Sequence, residues 1–334
     1  MTTPAVIAPI DIVVRGPVFA DLTFTGLPSM PRPGTEVWAD GLTWSPGGMA
    51  TQAVCAARLG SSVALVTDLG DDLLGSYLQE RLSAEGVELA ATSIHPDWPT
   101  PVTVSLNHDG DRAMVTRQPE PPAFSPSDRD PFRPGRDDAE PPLGFAHLGA
   151  VISSLGSEPW WQSLADRGAK VFLQTHCCVD GEFHPEQLQQ LAGAFAFTPN
   201  LAEALSLTRT KDPSSALRQL GELVPLVVIT LGDQGALGLN SATGETVQVP
   251  GIPVACVDAT GAGDVFTASL VHAQLTGLNL TDSLRLAVLT AGLAVSRSGS
   301  ASAAPHWPDL LTWRSDALAK HLTVASDYNF LEKR

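Results

Sequence analysis

The strongest constraint on this chain is an alternation. Short, wholly apolar runs are interleaved with longer segments of helical period. Asp11 to Arg15, Ser62 to Thr67, Phe145–Gly149, Lys170–Leu173, Ala194–Thr198, Leu226–Thr230 and Val254–Val257 each read as a buried strand. Met49 to Leu59 reads as an Ala-rich helix closed by Gly60, and Leu73 to Glu85 as a helix capped by Asp71 or Asp72 and closed by Gly86. Trp160–Arg167, Pro185–Ala192, Leu201–Leu207, Ser214–Leu223, Gly263–Leu275, Thr281–Ser296 and Trp307–His321 also carry helical spacing. A strand that is apolar on both faces must be covered on both. Alternation with helices therefore predicts an α/β fold, with a doubly wound, mostly parallel sheet between helical layers.

Two regions do not fit that sheet. Asp21 to Leu27 and Glu36 to Trp44 alternate apolar with polar residues, as half-exposed strands do. Pro101 to Leu106 and Arg112 to Arg117 flank Asn107-His108-Asp109-Gly110, a hairpin turn signal. Together they predict a small β-layer, residues 19–45 and 98–117, interrupting a core made of 1–18, 46–97 and 118–334. Ser45-Pro46-Gly47-Gly48 reads as the turn into the first helix, and Gln118 to Pro142 as a long surface loop.

The formal charge of −16 over 334 residues excludes an extended surface for nucleic acid or anionic membranes, which needs clustered Lys and Arg. Cys55, Cys177, Cys178 and Cys256 lack metal-type spacing and suggest free thiols in a reducing cytoplasm. The start has no basic region before an apolar core, so no signal peptide is read. No apolar run reaches the roughly 18 residues of a membrane span.

The chemistry concentrates in Asp258-Ala259-Thr260-Gly261-Ala262-Gly263-Asp264. This heptapeptide lies between the apolar run Ile252–Val257, read as a strand, and the helical stretch Val265–Leu275. At such a junction Gly261, Ala262 and Gly263 let backbone N–H groups point outward, and the positive end of the helix adds to them, which together make an anion hole. A carboxylate inside an anion hole is costly unless it has a task, so Asp264 is the candidate general base beside a phosphate. No Gly-x-x-x-x-Gly-Lys-Ser/Thr loop is present, which excludes a P-loop kinase. No Gly-x-Gly-x-x-Gly follows the first strand, which weakens a dinucleotide dehydrogenase.

Further pieces stand in a fixed order: Gly16 with Asp21, Pro33-Gly34-Thr35-Glu36, Gly47-Gly48 running on to Arg58-Leu59-Gly60, and Gly70-Asp71-Asp72. Thr198-Pro199-Asn200 with Glu203, and Thr230-Leu231-Gly232, precede the heptapeptide. In this series the chain resembles the ribokinase-like (PfkB) sugar kinases over nearly its whole length. The resemblance implies a β-sheet lid over a sugar, formed by the small β-layer. It implies Asp264 as the base, with Gly261, Ala262 and Gly263 binding the transferring phosphoryl group. It implies Asp21, Gly47, Gly48 and Thr51 at the sugar, and Asn200, Thr230, Gly232, Gly235 and Ala291 along ATP. Glu203 would organise Mg²⁺, through water, and Asp258 and Thr260, with the Gly299–Ser302 turn, mark a region for a monovalent cation such as K⁺.

Several positions stay open. Asn200 and Glu203 equally fit a helix cap. Thr51 stands where the family carries a sugar-binding Asn, with the Gly-Gly pair one residue closer, and Gln52 is the neighbouring amide. Leu173-Gln174-Thr175-His176 replaces the family's acidic or Asn-bearing strand end. Arg112 either reaches substrate or is a solvated strand residue, and His147 either serves the site or is a core histidine. The expectation is an ATP-dependent kinase of the hydroxymethyl group of a small sugar, whether ribose-, fructose- or ketodeoxygluconate-like. The alternatives are a nucleoside kinase of the same fold and a non-catalytic sugar-binding regulator. Exposed lid strands could pair two copies into a homodimer.

Overall fold

The computed structural model of the chain describes residues 9–108, 111–122, 145, 148–156, 159–175 and 183–333. The first half holds β1 (Ile12–Arg15), β2 (Val18–Thr25), β3 (Gly41–Gly48), α1 (Met49–Arg58), β4 (Val63–Val66), β5 (Asp68–Gly70), α2 (Leu73–Ala84), β6 (Ser93–His95), β7 (Val102–His108) and β8 (Asp111–Arg117). The second half holds β9 (Ala150–Ser154), α3 (Gln162–Asp166), β10 (Lys170–Gln174), β11 (Ala196–Phe197), α4 (Leu201–Thr208), α5 (Pro213–Gly221), β12 (Leu226–Thr230), β13 (Ala236–Asn240) and β14 (Glu245–Val249). It ends in α6 (Ala262–Leu275), α7 (Leu280–Val295), α8 (Ser300–Ala303) and α9 (Trp307–Ala319).

The central sheet has eight strands in the order β14-β13-β12-β11-β10-β9-β1-β4. It is parallel from β4 to β12 and antiparallel through β13 and β14. One face is closed by an apolar cluster that includes Ile12, Val14, Ala53, Phe172, Leu270 and Leu289. The other is closed by Val151, Trp161, Leu173, Phe197, Leu217 and Ile229. This two-sided burial is why the strands read as unbroken apolar runs. The chain leaves β1 for β4 on one side and returns to β9 on the other. Their C-terminal ends open the crevice that such a reversal creates.

The smaller sheet has the order β3-β2-β7-β8. Asp21 pairs with Ser45 and Thr103, so these residues share one face. That face is the buried one: Asp21, Thr23, Ser45, Thr103 and Ser105 are all buried.

The structure corrects several sequence expectations. Ile252–Val257 is not a strand: Pro253 removes a ladder donor, and the sheet edge is taken by the hairpin β13–β14, which the sequence reading missed. The segment instead gives the Val257 and Asp258 N–H groups to the Val295 carbonyl at the end of α7. Glu36–Asp40 is not strand, because β2 ends at Thr25, opposite Gly41. Ser45–Gly48 is strand rather than turn, and the chain turns only at Gly48, with φ 61°. The strand expected at Phe145–Gly149 lies at Ala150–Ser154, in register with Ile12–Val14. Pro185–Leu191 is a 3₁₀ helix. His147, His176, Cys177, Cys178, Asp109, Gly110 and most of Gln118–Pro142 lie outside the described residues.

Candidate active site

Gly261 takes φ 77°, the left-handed conformation that glycine adopts without strain, and opens α6 with no side-chain cap. The Ala262 N–H bends back to the Ala259 carbonyl at 3.3 Å. Gly263, next along, has a first-turn N–H with no intrahelical acceptor. A Cβ at Gly263 would meet nothing within 4 Å among the described residues, so this rim is open. The helix beneath is pinned to the sheet and to α1: the hydroxyls of Thr198 and Thr267 lie 3.0 Å apart, and the Cys55 thiol lies 3.5 Å from the Ser269 hydroxyl.

Asp264 projects from this first turn. Its Oδ1 accepts Gln52 Nε2–H from α1 at 2.8 Å and Gln174 Nε2–H from the end of β10 at 2.9 Å. Burial raises its pKa above the usual carboxylate range, and the two amides oppose that rise.

Asp21, on β2, is pushed up to about 6, first by burial and then by the charges of Asp264 and Asp258. The Ser300 hydroxyl donates to its Oδ2 at 2.6 Å and pulls the other way, as does Thr103. Ser300 begins α8, which ties the small sheet to the heptapeptide. Ser302 N–H reaches Ser45 Oγ at 3.0 Å, while Asp258 accepts Thr260 N–H at 3.0 Å and Gly299 N–H at 3.1 Å. Gly47 and Gly48 stand beside Asp21 and the start of α1. Among the described residues, three buried side-chain atoms here have no hydrogen-bond partner: Thr51 Oγ1, Gln52 Oε1 and Thr260 Oγ1. Such orphans are costly unless a bound molecule completes them.

Beside the anion hole opens a cleft of about 310 Å³, lined by Thr230, Gly235, Ile252, Gly263, Phe266 and Ala291, among others, with Gly232 and Cys256 also on its wall. Its lining is apolar and small-chained, suited to a flat heterocycle. Asn200 and Glu203 lie at the start of α4 and form a complete capping box: Asn200 Oδ1 accepts Glu203 N–H and Glu203 Oε2 accepts Asn200 N–H. Arg112 is exposed on β8, opposite Asn107. The strand rung of Asp21 falls at Thr116, so Arg112 stands four residues, roughly 13 Å, farther along. Sequence reasoning placed Ser300 only within the Gly299–Ser302 turn of the cation region, with no part at Asp21, and gave Gln174 no role at Asp264. Nothing local to that turn pointed to a carboxylate on β2, and Gln174 registered only as a departure at a strand end.

Residues 27–307 match the family described as pfkB family carbohydrate kinase. The chain belongs to the pfkB family of carbohydrate kinases. Such enzymes are phosphotransferases with an alcohol group as acceptor. This pfkB-family chain is 29% identical to the ribokinase of Bacillus subtilis over 311 residues, 88% of the chain and 96% of that protein. It is 29% identical to the aminoimidazole riboside kinase of Salmonella typhimurium over 299 residues, 84% of the chain and 91% of that protein. The structure of Arabidopsis thaliana ribokinase complexed with ribose and ATP superposes with TM-score 0.73 and 26% identity, covering 92% of this chain and 98% of that one. No described helix of this pfkB-family protein is long and apolar enough to cross a membrane.

Proposed function

We propose that this kinase transfers the γ-phosphoryl group of ATP to the hydroxymethyl group of a small sugar, with ribose the first acceptor to test. One observation carries the reading: Asp264 stands at the open N-terminus of α6, between the apolar cleft and the buried carboxylate of Asp21. Phosphoryl transfer asks mainly for positioning and charge stabilisation. Asp21 accepts hydrogen bonds from sugar hydroxyls. Asp264 takes the proton from the attacking hydroxyl. The N–H groups of the Gly261–Gly263 turn stabilise the phosphoryl oxygens. Adenine lies in the cleft against Ala291, with Thr230, Gly232 and Gly235 along the nucleotide.

Mg²⁺ supplies charge neutralisation at the phosphates when bound. Glu203 suits a water-mediated role, because Mg²⁺ keeps several waters and this half-buried carboxylate has a second oxygen, Oε1, beyond the one that accepts the Asn200 N–H. K⁺ has less support, since both oxygens of Asp258 already accept backbone N–H groups, although Thr260 Oγ1 is unsatisfied.

Ribose is favoured because both relatives and the superposed structure carry a ribosyl unit in their names. The riboside kinase keeps a nucleoside acceptor as a second reading. The test is a transfer screen with Mg-ATP over ribose, deoxyribose, fructose, ketodeoxygluconate and nucleosides. The proposal expects kcat/KM for a free sugar to exceed that for any nucleoside. Absence of transfer to every acceptor would leave a non-catalytic binding protein.

The small sheet supports a homodimer. Its polar face is buried and its other face is apolar. The rungs Trp44–Leu22–Val104–Val115 and Leu42–Phe24–Leu106–Ala113 cross all four strands on that face. Trp44 is 42%, Leu42 48% and Val115 73% exposed. A contiguous apolar sheet face of this kind marks an interaction surface, and a second copy offers the same flat face in return. Sedimentation should give a dimer that Val115→Lys dissociates; a monomeric wild type would remove this reading.

A further inference from the structure

We propose that Gln174 and Gln52 form a two-amide clamp that orients Asp264, confining proton acceptance to Oδ2. The inference rests on Asp264 being the base and adds two positioning residues to it. Both Nε2 groups donate to the same oxygen, Oδ1, at 2.9 and 2.8 Å, from two separate elements, the end of β10 and the first turns of α1. With Oδ1 receiving both bonds, the lone pairs of Oδ2 are the ones left for a substrate hydroxyl. The two donors approach from different directions and fix the carboxyl plane, which one donor could not do.

The orientation of Gln52 is itself determined. Its Oε1 is buried with no hydrogen-bond partner. Turning the amide over would set that oxygen against a carboxylate oxygen, so Nε2 must face Asp264. Gln52 is fully buried and α1 packs along α6, so neither group can drift.

The clamp also sets the protonation of the base. Asp264 has two carboxyl groups for neighbours, Asp21 facing it from β2 and Asp258 in the preceding loop, while the Cys55 thiol on α1, pushed up to about 12 by burial, stays neutral. Burial favours the protonated form, whereas the two N–H donors favour the carboxylate. Removing one donor therefore moves the pKa of Asp264 upward. The acidic limb of kcat follows it, because only the carboxylate can accept the proton. A residue that merely filled space would leave that limb in place.

The experiment compares wild type with Gln174→Leu, Gln174→Glu and Gln52→Leu. Asp264 is titrated directly by ¹³C NMR of labelled aspartate carboxyls in the apo protein, its resonance assigned by loss in Asp264→Asn. Gln174→Leu is expected to raise the Asp264 pKa by about one unit, and Gln174→Glu by more, because a second carboxylate replaces a donor. The acidic limb of kcat should move with it, while KM for ATP stays within about twofold. Gln174→Glu nearly keeps the wild-type shape, so it reports if the Leu variant unfolds. An Asp264 pKa unchanged in the folded Gln174 variants overturns the clamp. If the NMR pKa moves but the kcat limb does not, the hydrogen bonds are real but the orienting role is overturned. If Asp264→Asn turns over at the wild-type rate, the base assignment itself falls, and the clamp's catalytic role with it.

Discussion

Gly47 and Asp21 are locked together across the β2–β3 ladder: a Cβ built on Gly47 would stand 2.0 Å from Asp21 Oδ2 and 2.2 Å from its Cγ. No heavy atom can occupy that space while the carboxyl remains where Ser300 holds it. Gly47→Ala must therefore displace Asp21. Loss of hydrogen bonds between a charged group and a ligand is worth about 1.5–3 kcal/mol, so acceptor affinity should fall roughly 10- to 100-fold. ATP affinity should hold. Isothermal titration with each ligand separately checks this, and equal loss of both would show a general folding defect.

Asp21 carries a second expectation. Its folded pKa is raised to about 6 from the ordinary 3.8, so the folded state holds its proton more tightly than the unfolded chain does. That contribution to stability is fully present below pH 3.8 and is lost as pH rises through about 6. At pH 7.5 the ionised carboxylate is a net cost. Asp21→Asn should stabilise the apo protein there by on the order of 1–3 kcal/mol, read as a higher melting temperature, and the gain should vanish near pH 4. Acceptor binding should be lost in the same variant. Melting curves across pH, with acceptor titrations, test both halves.

Gly263→Ala isolates the anion hole from the fold. The new methyl group meets no atom of the described residues within 4 Å, and alanine favours a helix. Thermal stability should be unchanged or slightly higher. If the transferring phosphoryl group sits against this turn, the methyl crowds it, and kcat/KM for ATP should fall by more than about tenfold, the 1.4 kcal/mol scale of one lost contact. Normal kinetics in the alanine variant would place the phosphate elsewhere.

Glu203→Gln separates capping from ion handling. Gln keeps an oxygen for the Asn200 N–H, and Glu and Gln both serve in a capping box. Melting should be unaffected. The Mg²⁺ concentration for half-maximal rate should rise about tenfold, the 1.4 kcal/mol scale of one weakened interaction, and chelator should abolish activity in both proteins. An unchanged Mg²⁺ dependence would leave Glu203 as a cap alone.

Much of the fold was legible because its strands are buried on both faces and its helices keep clean caps. Asp72, for example, accepts the Gly75 N–H as a sequence cap should. The heptapeptide was legible because its glycines and carboxylates sit together in the chain. The hairpin Ala236–Asn240 with Glu245–Val249 was missed, since only one of its strands is apolar. Ile252–Val257 was misread because its apolar run outweighed Pro253. Ser300 and Gln174 reach the two carboxylates from 279 and 90 residues away. No local pattern announces a partner set by the meeting of a strand end and a helix start.

The central claim is that Asp264 is the base. Asn has nearly the same shape and retains an oxygen for Gln52 and Gln174, but it is a very poor proton acceptor. The decisive measurement is kcat of Asp264→Asn with Mg-ATP and the best sugar acceptor, beside a melting curve that certifies the fold. The account predicts a folded protein that binds both ligands and transfers phosphate about 10²–10⁴-fold more slowly. Turnover within a few-fold of wild type by that folded variant would contradict it.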